Sequence, residues 1–336
     1  MIVQEVWQML EQGTGELPSG YLMRRILPEV HYDVFLAIEK PSNLRLMMIQ
    51  VQRQSVGKGI APYPSSSSFS VRRVLLDEKD KDRVTYQLIL TNIRYSDIFT
   101  TLVQDIVNHI AAIPEEDRAV GAFLTHLKRW QIFLERHNPE GLDQAAQQGL
   151  YGELWFLRHS VLPQCGAIRG VLSWSGPAAA QQDFQLERCA VEVKTTTSKQ
   201  HQKLPISSER QLDETGTGAL ILLHLSLDLR QGRGETLPNM VAGVRSLLGR
   251  NPAAIETFEA LLFETGYLDI HVPRYEQNGY TVRETNYFRV EGDFPRIIEA
   301  DLRNGVGDVR YTIDVAVCKR FAITESEVLS LMGGQS

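Results

Sequence analysis

Cysteine is scarce in this chain: 336 residues carry only three, Cys165, Cys189 and Cys318, far apart. That number excludes a disulfide framework, and the scatter excludes a cysteine zinc cluster. The eight histidines show no His-x3-His spacing and no Cys-x2-Cys companion, so no zinc site is expected. Long hydrophobic runs are missing too. The longest, residues 218–225, is strand-sized, whereas a membrane-spanning helix needs roughly 20 apolar residues. Residues 1–7 lack a basic stretch leading into an apolar one, so no secretory signal is expected, and the reducing cytoplasm is the expected compartment. Positive charge is not in excess: 35 Lys and Arg stand against 41 Asp and Glu, a net charge of −6. A global basic field for nucleic acid is therefore ruled out; such a partner would need a local groove or delivery by another subunit. Gly-x-x-x-x-Gly-Lys-[Ser/Thr] is absent, which excludes a P-loop ATPase, and the absence of Gly-x-Ser-x-Gly argues against a nucleophile-elbow hydrolase.

What is present is an ordinary globular composition, 43% hydrophobic and 23% charged, at a length that suits one large or two modest domains. Residues 3–10 read as a short amphipathic helix. Apolar runs at 32–39 and 44–51, then 70–76 and 83–91, read as strands with short connections, which predicts an antiparallel meander. From Ser96 the apolar spacing turns helical, with further helices through about His137 and over 142–162. The second half alternates short strands (184–186, 190–195, 219–227, 280–290, 308–317) with helices (from Ser207, 239–248, 252–265, from Thr324). Three regions follow: an N-terminal α+β accessory domain over 1–140, an α/β core over 141–230, and an α/β extension over 231–336.

Chemistry concentrates in the segment from Asp183 to Lys194. Side chains alternate along a strand, so Val191 and Val193 share one face while Glu192 and Lys194 share the other. A hairpin turning at Glu187-Arg188 sets Asp183 directly opposite Glu192, with Cβ atoms roughly 4.5–5.5 Å apart. Two carboxylates so close repel, and a divalent cation between them removes the repulsion; Mg²⁺ prefers carboxylate oxygens and water. Lys194 beside them can hold or activate a water, or neutralise charge on a phosphorane-like transition state, and both burial and a cation would lower its pKa. Two acids, a metal and a lysine are what metal-assisted phosphodiester hydrolysis requires. The bare pattern is cheap: Asp77-Glu78-Lys79 also fits it, in a solvated charge run with no strand behind it.

Asp183 followed by Glu192-Val193-Lys194 resembles the PD-(D/E)xK signature of many restriction and repair nucleases. The setting is similar to that of a PD-(D/E)xK-like family encoded in bacterial restriction-type defence loci: the helix around Gly149–Leu157 before the hairpin, Trp174-Ser-Gly-Pro177 between them, Thr195–Ser198 after the lysine, and Ile206–Leu212 opening the next helix. The resemblance implies a restriction-endonuclease-like α/β core, a mixed central sheet flanked by helices. It implies metal coordination by Asp183, Glu192, the Val193 carbonyl and Glu153 of the preceding helix, with Lys194 catalytic and Gln211 assisting near the phosphate. The cofactor would be Mg²⁺, with Mn²⁺ able to substitute. The substrate would be DNA, cut to 5′-phosphate and 3′-hydroxyl ends in anti-phage defence, with other subunits such as an ATPase or methyltransferase as partners and no membrane. Double-strand cutting would call for a homodimer. One departure stands out: the residue before Asp183 is Gln182, not proline. Two other readings stay open, an inactive nuclease-fold scaffold or DNA-binding subunit, and an RNA-directed nuclease.

Overall fold

The computed structural model describes residues 2–13, 18–55, 63–76, 82–178 and 180–333. The Asp77-Glu78-Lys79 pattern lies outside them. The chain divides into two compact units, residues 1–139 and 140–336.

The first unit holds helix α1 (Val3–Gln12), strands β1 (Gly20–Ile26), β2 (Asp33–Lys40), β3 (Leu44–Gln52), β4 (Phe69–Val74) and β5 (Arg83–Leu90), then helices α2 (Ser96–Ile110) and α3 (Glu116–Arg136). All pairings are antiparallel, in the order β1-β2-β3-β5-β4. The expected meander is therefore corrected: β5 pairs with β3, and β4 is pushed to the edge. Strand β1 has no apolar run to betray it, because most of its side chains at this edge stay exposed or half-exposed. Trp7 stacks on Phe99 at 5.6 Å, and Phe123 meets the edge of Tyr86 at 6.5 Å, so the helices close one face of the sheet. Arg72 binds Gln87, Tyr21 and Glu39, and Arg25 pairs with Asp33, so these cations are spent inside their own sheet.

The second unit runs α4 (Gln144–Phe156), a π-helical turn (Leu157–Val161), α5 (Leu162–Cys165), α6 (Ala167–Ser173), β6 (Phe184–Gln185), β7 (Ala190–Thr196), β8 (Lys203–Ile206), β9 (Leu220–Gln231), β10 (Glu235–Thr236), α7 (Leu237–Leu248), α8 (Pro252–Glu264), α9 (Val272–Tyr275), β11 (Asn278–Arg289), β12 (Tyr311–Asp314), α10 (Val315–Cys318), β13 (Ala322–Ile323) and α11 (Glu325–Leu331). Its mixed sheet has the order β10-β11-β9-β7-β6, with β13 also on β11. Strands β7 and β9 are parallel, and the remaining pairs are antiparallel. Central strand β9 is buried on both faces, which is why it reads as one apolar run. Ile221, Leu223 and Leu225 join Val191, Val193 and the α4 residues Leu150 and Leu154 in one core. Leu220 and Leu222 join Ala190, Leu204, Ile206, Phe288 and Ile313 in a second core under the small β8–β12 sheet.

Two expected elements are corrected. No helix starts at Ser207: residues 207–218 form successive turns. Ser208 Oγ accepts from the Arg210 N–H and Asp213 Oδ1 from the Thr215 N–H, so short polar side chains take the bonds a helix would use. Leu212 alone is apolar over 207–213, too little for a buried stripe. The expected strand over 308–317 is only β12, ended by Asp314, whose carboxylate caps α10 at the Ala316 N–H.

Candidate active site

The hairpin adopts the register that places Asp183 opposite Glu192. Phe184 pairs with Val191 and Gln185 with Ala190, and the Leu186 N–H to Cys189 carbonyl bond closes the turn over Glu187-Arg188. Strand β6 is only two residues long, so β7 outruns it. Where the ladder would continue, the Asp183 side chain takes over: Oδ2 accepts the Val193 N–H at 2.7 Å. The Asp183 carbonyl accepts from the Ser175 and Gly176 N–H groups at 2.9 and 3.0 Å, which folds the loop after α6 over the strand end.

On β7, Val191 and Val193 point into the α4 side of the core while Glu192 and Lys194 share the opposite face. Glu192 is 1% exposed. Its Oε1 accepts from Lys194 Nζ at 2.7 Å and from Gln211 Nε2 at 2.8 Å, while Oε2 is buried with no hydrogen-bond partner. Gln211 comes from the 207–213 loop, not from a helix, yet its amide is firmly seated. Its Oε1 accepts from the Ser207 N–H at 2.8 Å and lies 3.4 Å from Lys194 Nζ.

Glu153 arrives from α4. The helix can lie close to β7 because the residue before it is Gly152; a Cβ there would run into Thr195 Cγ2. Glu153 Oε2 accepts the Trp174 indole N–H at 2.8 Å. A Cβ on Gly176 would sit 2.9 Å from Asp183 Oδ1 and 3.2 Å from Glu153 Oε2, so both carboxylates border the same point beside this glycine. Asp183, Glu192, Lys194, Glu153 and Gln211 are thus brought together from a hairpin, a helix and a loop.

Burial and crowding set the electrostatics. Burial, then the Asp183 carboxylate, push Glu192 up to about 8, against the pull of Lys194. Burial raises Asp183 as well, opposed by the Val193 N–H and Lys194. Glu153 is held well above the usual carboxylate range by burial and by Asp183. Burial draws Lys194 down, but Glu192, Asp183 and Glu153 together outweigh it, and its ammonium is held above its ordinary value. Burial alone would lower the lysine, as expected, and it is the three surrounding carboxylates that reverse the direction.

Sequence reasoning missed three participants. Trp174 reads as core, and it is buried, but its N–H also orients Glu153. Gly176 lies in the Trp174-Ser-Gly-Pro177 segment, but nothing in that pattern tells that it borders two carboxylates. His224 of β9 pairs with Lys194 across the parallel ladder and bonds Thr196 at 2.9 Å; burial drives its pKa down to about 4, so it is a neutral neighbour of the site.

A family model described as "Putative PD-(D/E)XK family member, (DUF4420)" matches residues 3–316. The chain belongs to this family. No curated protein and no solved structure matches it. The mixed α/β unit with its curled sheet and flanking helices is consistent with a PD-(D/E)XK core, and the family points to a nuclease. PD-(D/E)XK nucleases typically use divalent metals, and the donor set fits a hard cation. Three crowded carboxylates each resist ionisation, and a buried carboxylate oxygen of Glu192 has no partner. Among the described residues, no three His, Cys, Asp or Glu side chains form a ready cage for an ion. One or two carboxylates with water would have to serve, which is the way Mg²⁺ is usually held. No helix among the described residues is long and apolar enough to cross a membrane.

Proposed function

We propose that this chain is a Mg²⁺-dependent endonuclease that hydrolyses DNA phosphodiester bonds, with Mn²⁺ able to substitute. One observation carries the reading. Asp183 is fixed on the Val193 N–H across the hairpin from Glu192, whose inner oxygen is unpartnered, with Lys194 at 2.7 Å. Asp183 and Glu192 would hold the metal with the Val193 carbonyl, and Glu153 would bind its waters. Bound there, the metal supplies polarisation of a phosphoryl oxygen and a more acidic water. Lys194 orients the attacking water and offsets charge on the phosphoryl oxygens as the P–O3′ bond breaks, leaving 5′-phosphate and 3′-hydroxyl ends. Gln211 keeps Lys194 and Glu192 in register, and the Trp174 N–H keeps Glu153 turned inward.

The wider setting belongs to the same proposal: a cytoplasmic defence system against foreign DNA, with an ATPase or methyltransferase subunit as a fitting partner, since a chain of net charge −6 gains from delivered DNA. The N-terminal α+β region would be accessory, the 141–230 region the core and 231–336 its extension. Cutting both strands would take two copies.

The test is supercoiled plasmid incubated with the purified chain and Mg²⁺, Mn²⁺ or EDTA, alongside calorimetric titration of both metals. Metal-dependent nicking is expected, with metal binding lost in Asp183→Ala. The second reading is a nuclease-fold scaffold or DNA-binding subunit, and the metal titration decides between the two. Wild type that neither cuts nor binds metal through its carboxylates would establish that reading instead. A parallel RNA substrate decides between the two nucleic acids.

The clearance beside Gly176 gives a further expected result. In Gly176→Ala the new methyl must displace Asp183 Oδ1, and Glu153 Oε2 must also give way. Divalent-cation affinity should fall about 10–100-fold, as for other disturbed ligand shells, with the circular dichroism spectrum unchanged. Unaltered affinity in calorimetry would show that these carboxylates do not share an ion.

A further inference from the structure

Gln182 occupies the position where the PD-(D/E)xK signature has proline, and no role is attached to it. Its side chain is 1% exposed, and it is bonded at both ends. Oε1 accepts from Gln185 Nε2 at 3.1 Å. Nε2 donates to the Arg210 carbonyl at 3.1 Å and lies 3.4 and 3.5 Å from the Asp213 and Gln211 carbonyls. Its own carbonyl accepts from Ser175 Oγ at 3.0 Å. A proline could make none of the side-chain bonds.

These bonds join two parts of the site that the chain separates. On one side is the strand end that carries Asp183. On the other is the 207–213 loop, which has no helix or strand to stiffen it and from which Gln211 must reach both Glu192 and Lys194. Glu209 accepting the Val309 N–H and Arg296 donating to the Leu212 carbonyl anchor the loop on its far side. Gln182 anchors it on the side facing Asp183.

We propose that Gln182 is a positioning residue: its amide holds the 207–213 loop so that Gln211 stays seated on Glu192 and Lys194. The proposal rests on the nuclease reading for its catalytic consequence, but not for its structural one. The variant is Gln182→Met, close in length and volume and without a donor. In metal-free protein, hydrogen exchange at the amides of residues 210–213 should accelerate about tenfold or more, while β9 exchange stays unchanged. In plasmid cleavage, kcat should fall about 10–100-fold, with KM for DNA within about threefold because Gln182 touches no substrate. In a Gln211→Ala background the same substitution should cost almost nothing more, since it acts through Gln211.

Unchanged exchange over 210–213 overturns the proposal whether or not the chain cuts DNA. Faster exchange together with fully additive losses in kcat also overturns it, because Gln182 then acts elsewhere. If the chain has no nuclease activity, the exchange result stands alone and the two failures remain distinct. Should Gln182→Met fail to fold, Gln182→Ala, which removes the amide and leaves room for water at the three carbonyls, carries the same expectations.

Discussion

Lys194→Met is expected to reduce DNA cleavage by about three orders of magnitude, the range lost when a positioned proton-transfer or charge-stabilising group is removed. The reasoning starts from geometry. Lys194 Nζ sits 2.7 Å from Glu192 Oε1 and 3.4 Å from Gln211 Oε1, with only 14% of its side chain exposed. Among the described residues, Lys194 is the cation that acts on Glu153, Asp183 and Glu192. Breaking a buried ion pair from one side costs about 3–5 kcal/mol if the surviving charge stays ionised. Glu192 has an escape, because burial and Asp183 already push its pKa up to about 8; in the variant it takes a proton and keeps its bond from Gln211. The fold should therefore survive, and the loss should appear in the cleavage rate, not in the circular dichroism spectrum. Cleavage by Lys194→Met within tenfold of wild type would remove the lysine from the mechanism.

Asp183→Asn should do two things of opposite sign: abolish cleavage, by at least about 10³-fold, and stabilise the metal-free protein. The asparagine oxygen can still accept the Val193 N–H, so the strand end is kept. What disappears is a negative charge facing Glu192 and Glu153, whose pKa values it raises. Relief of that repulsion should contribute about 1–2 kcal/mol at pH 8, or roughly 2–8 °C in Tm. The sign with pH follows from linkage. A carboxyl whose folded pKa lies above its unfolded value favours the fold while it is protonated, and that contribution is lost as pH rises through the folded pKa. For Glu192 the window opens at its ordinary carboxylate range and closes at about 8. Metal-free wild type should therefore lose stability as pH rises from about 5 to about 8, and Asp183→Asn should lose less. At acid pH, where all three carboxyls are protonated, the two proteins should melt together. Saturating Mg²⁺ should flatten the wild-type profile, because a cation compensates the charges that burial opposes. Melting curves against pH in EDTA and in Mg²⁺ check each part, and a metal-free Asp183→Asn less stable than wild type at pH 8 would contradict the crowding argument.

The hairpin is legible from local pattern alone. Alternation of side chains along Ala190–Thr196 and the two-residue turn at Glu187-Arg188 are local properties, so the facing of Asp183 and Glu192 and the neighbourhood of Lys194 could be read without a structure. Most helices and strands were legible for the same reason, since periodicity reports burial on one face. The pairing of β5 with β3 was not, because partner choice among strands depends on a long connection and on packing, not on any one strand's pattern. The expected helix start at Ser207 is instead a run of turns, because serine and aspartate favour both helix starts and self-bonded turns. What surrounds the acids comes from the packed fold: Trp174 on Glu153, the clearance at Gly176, Gln211 on Glu192, and Gln182 tying the two sides together. The hydrogen bonds of Trp174, Gln211 and the Gln182 amide nitrogen join residues 17 to 31 positions apart through buried polar groups. A hydrogen bond across that distance leaves no period in the sequence; it exists because burial leaves each polar atom with no water to turn to.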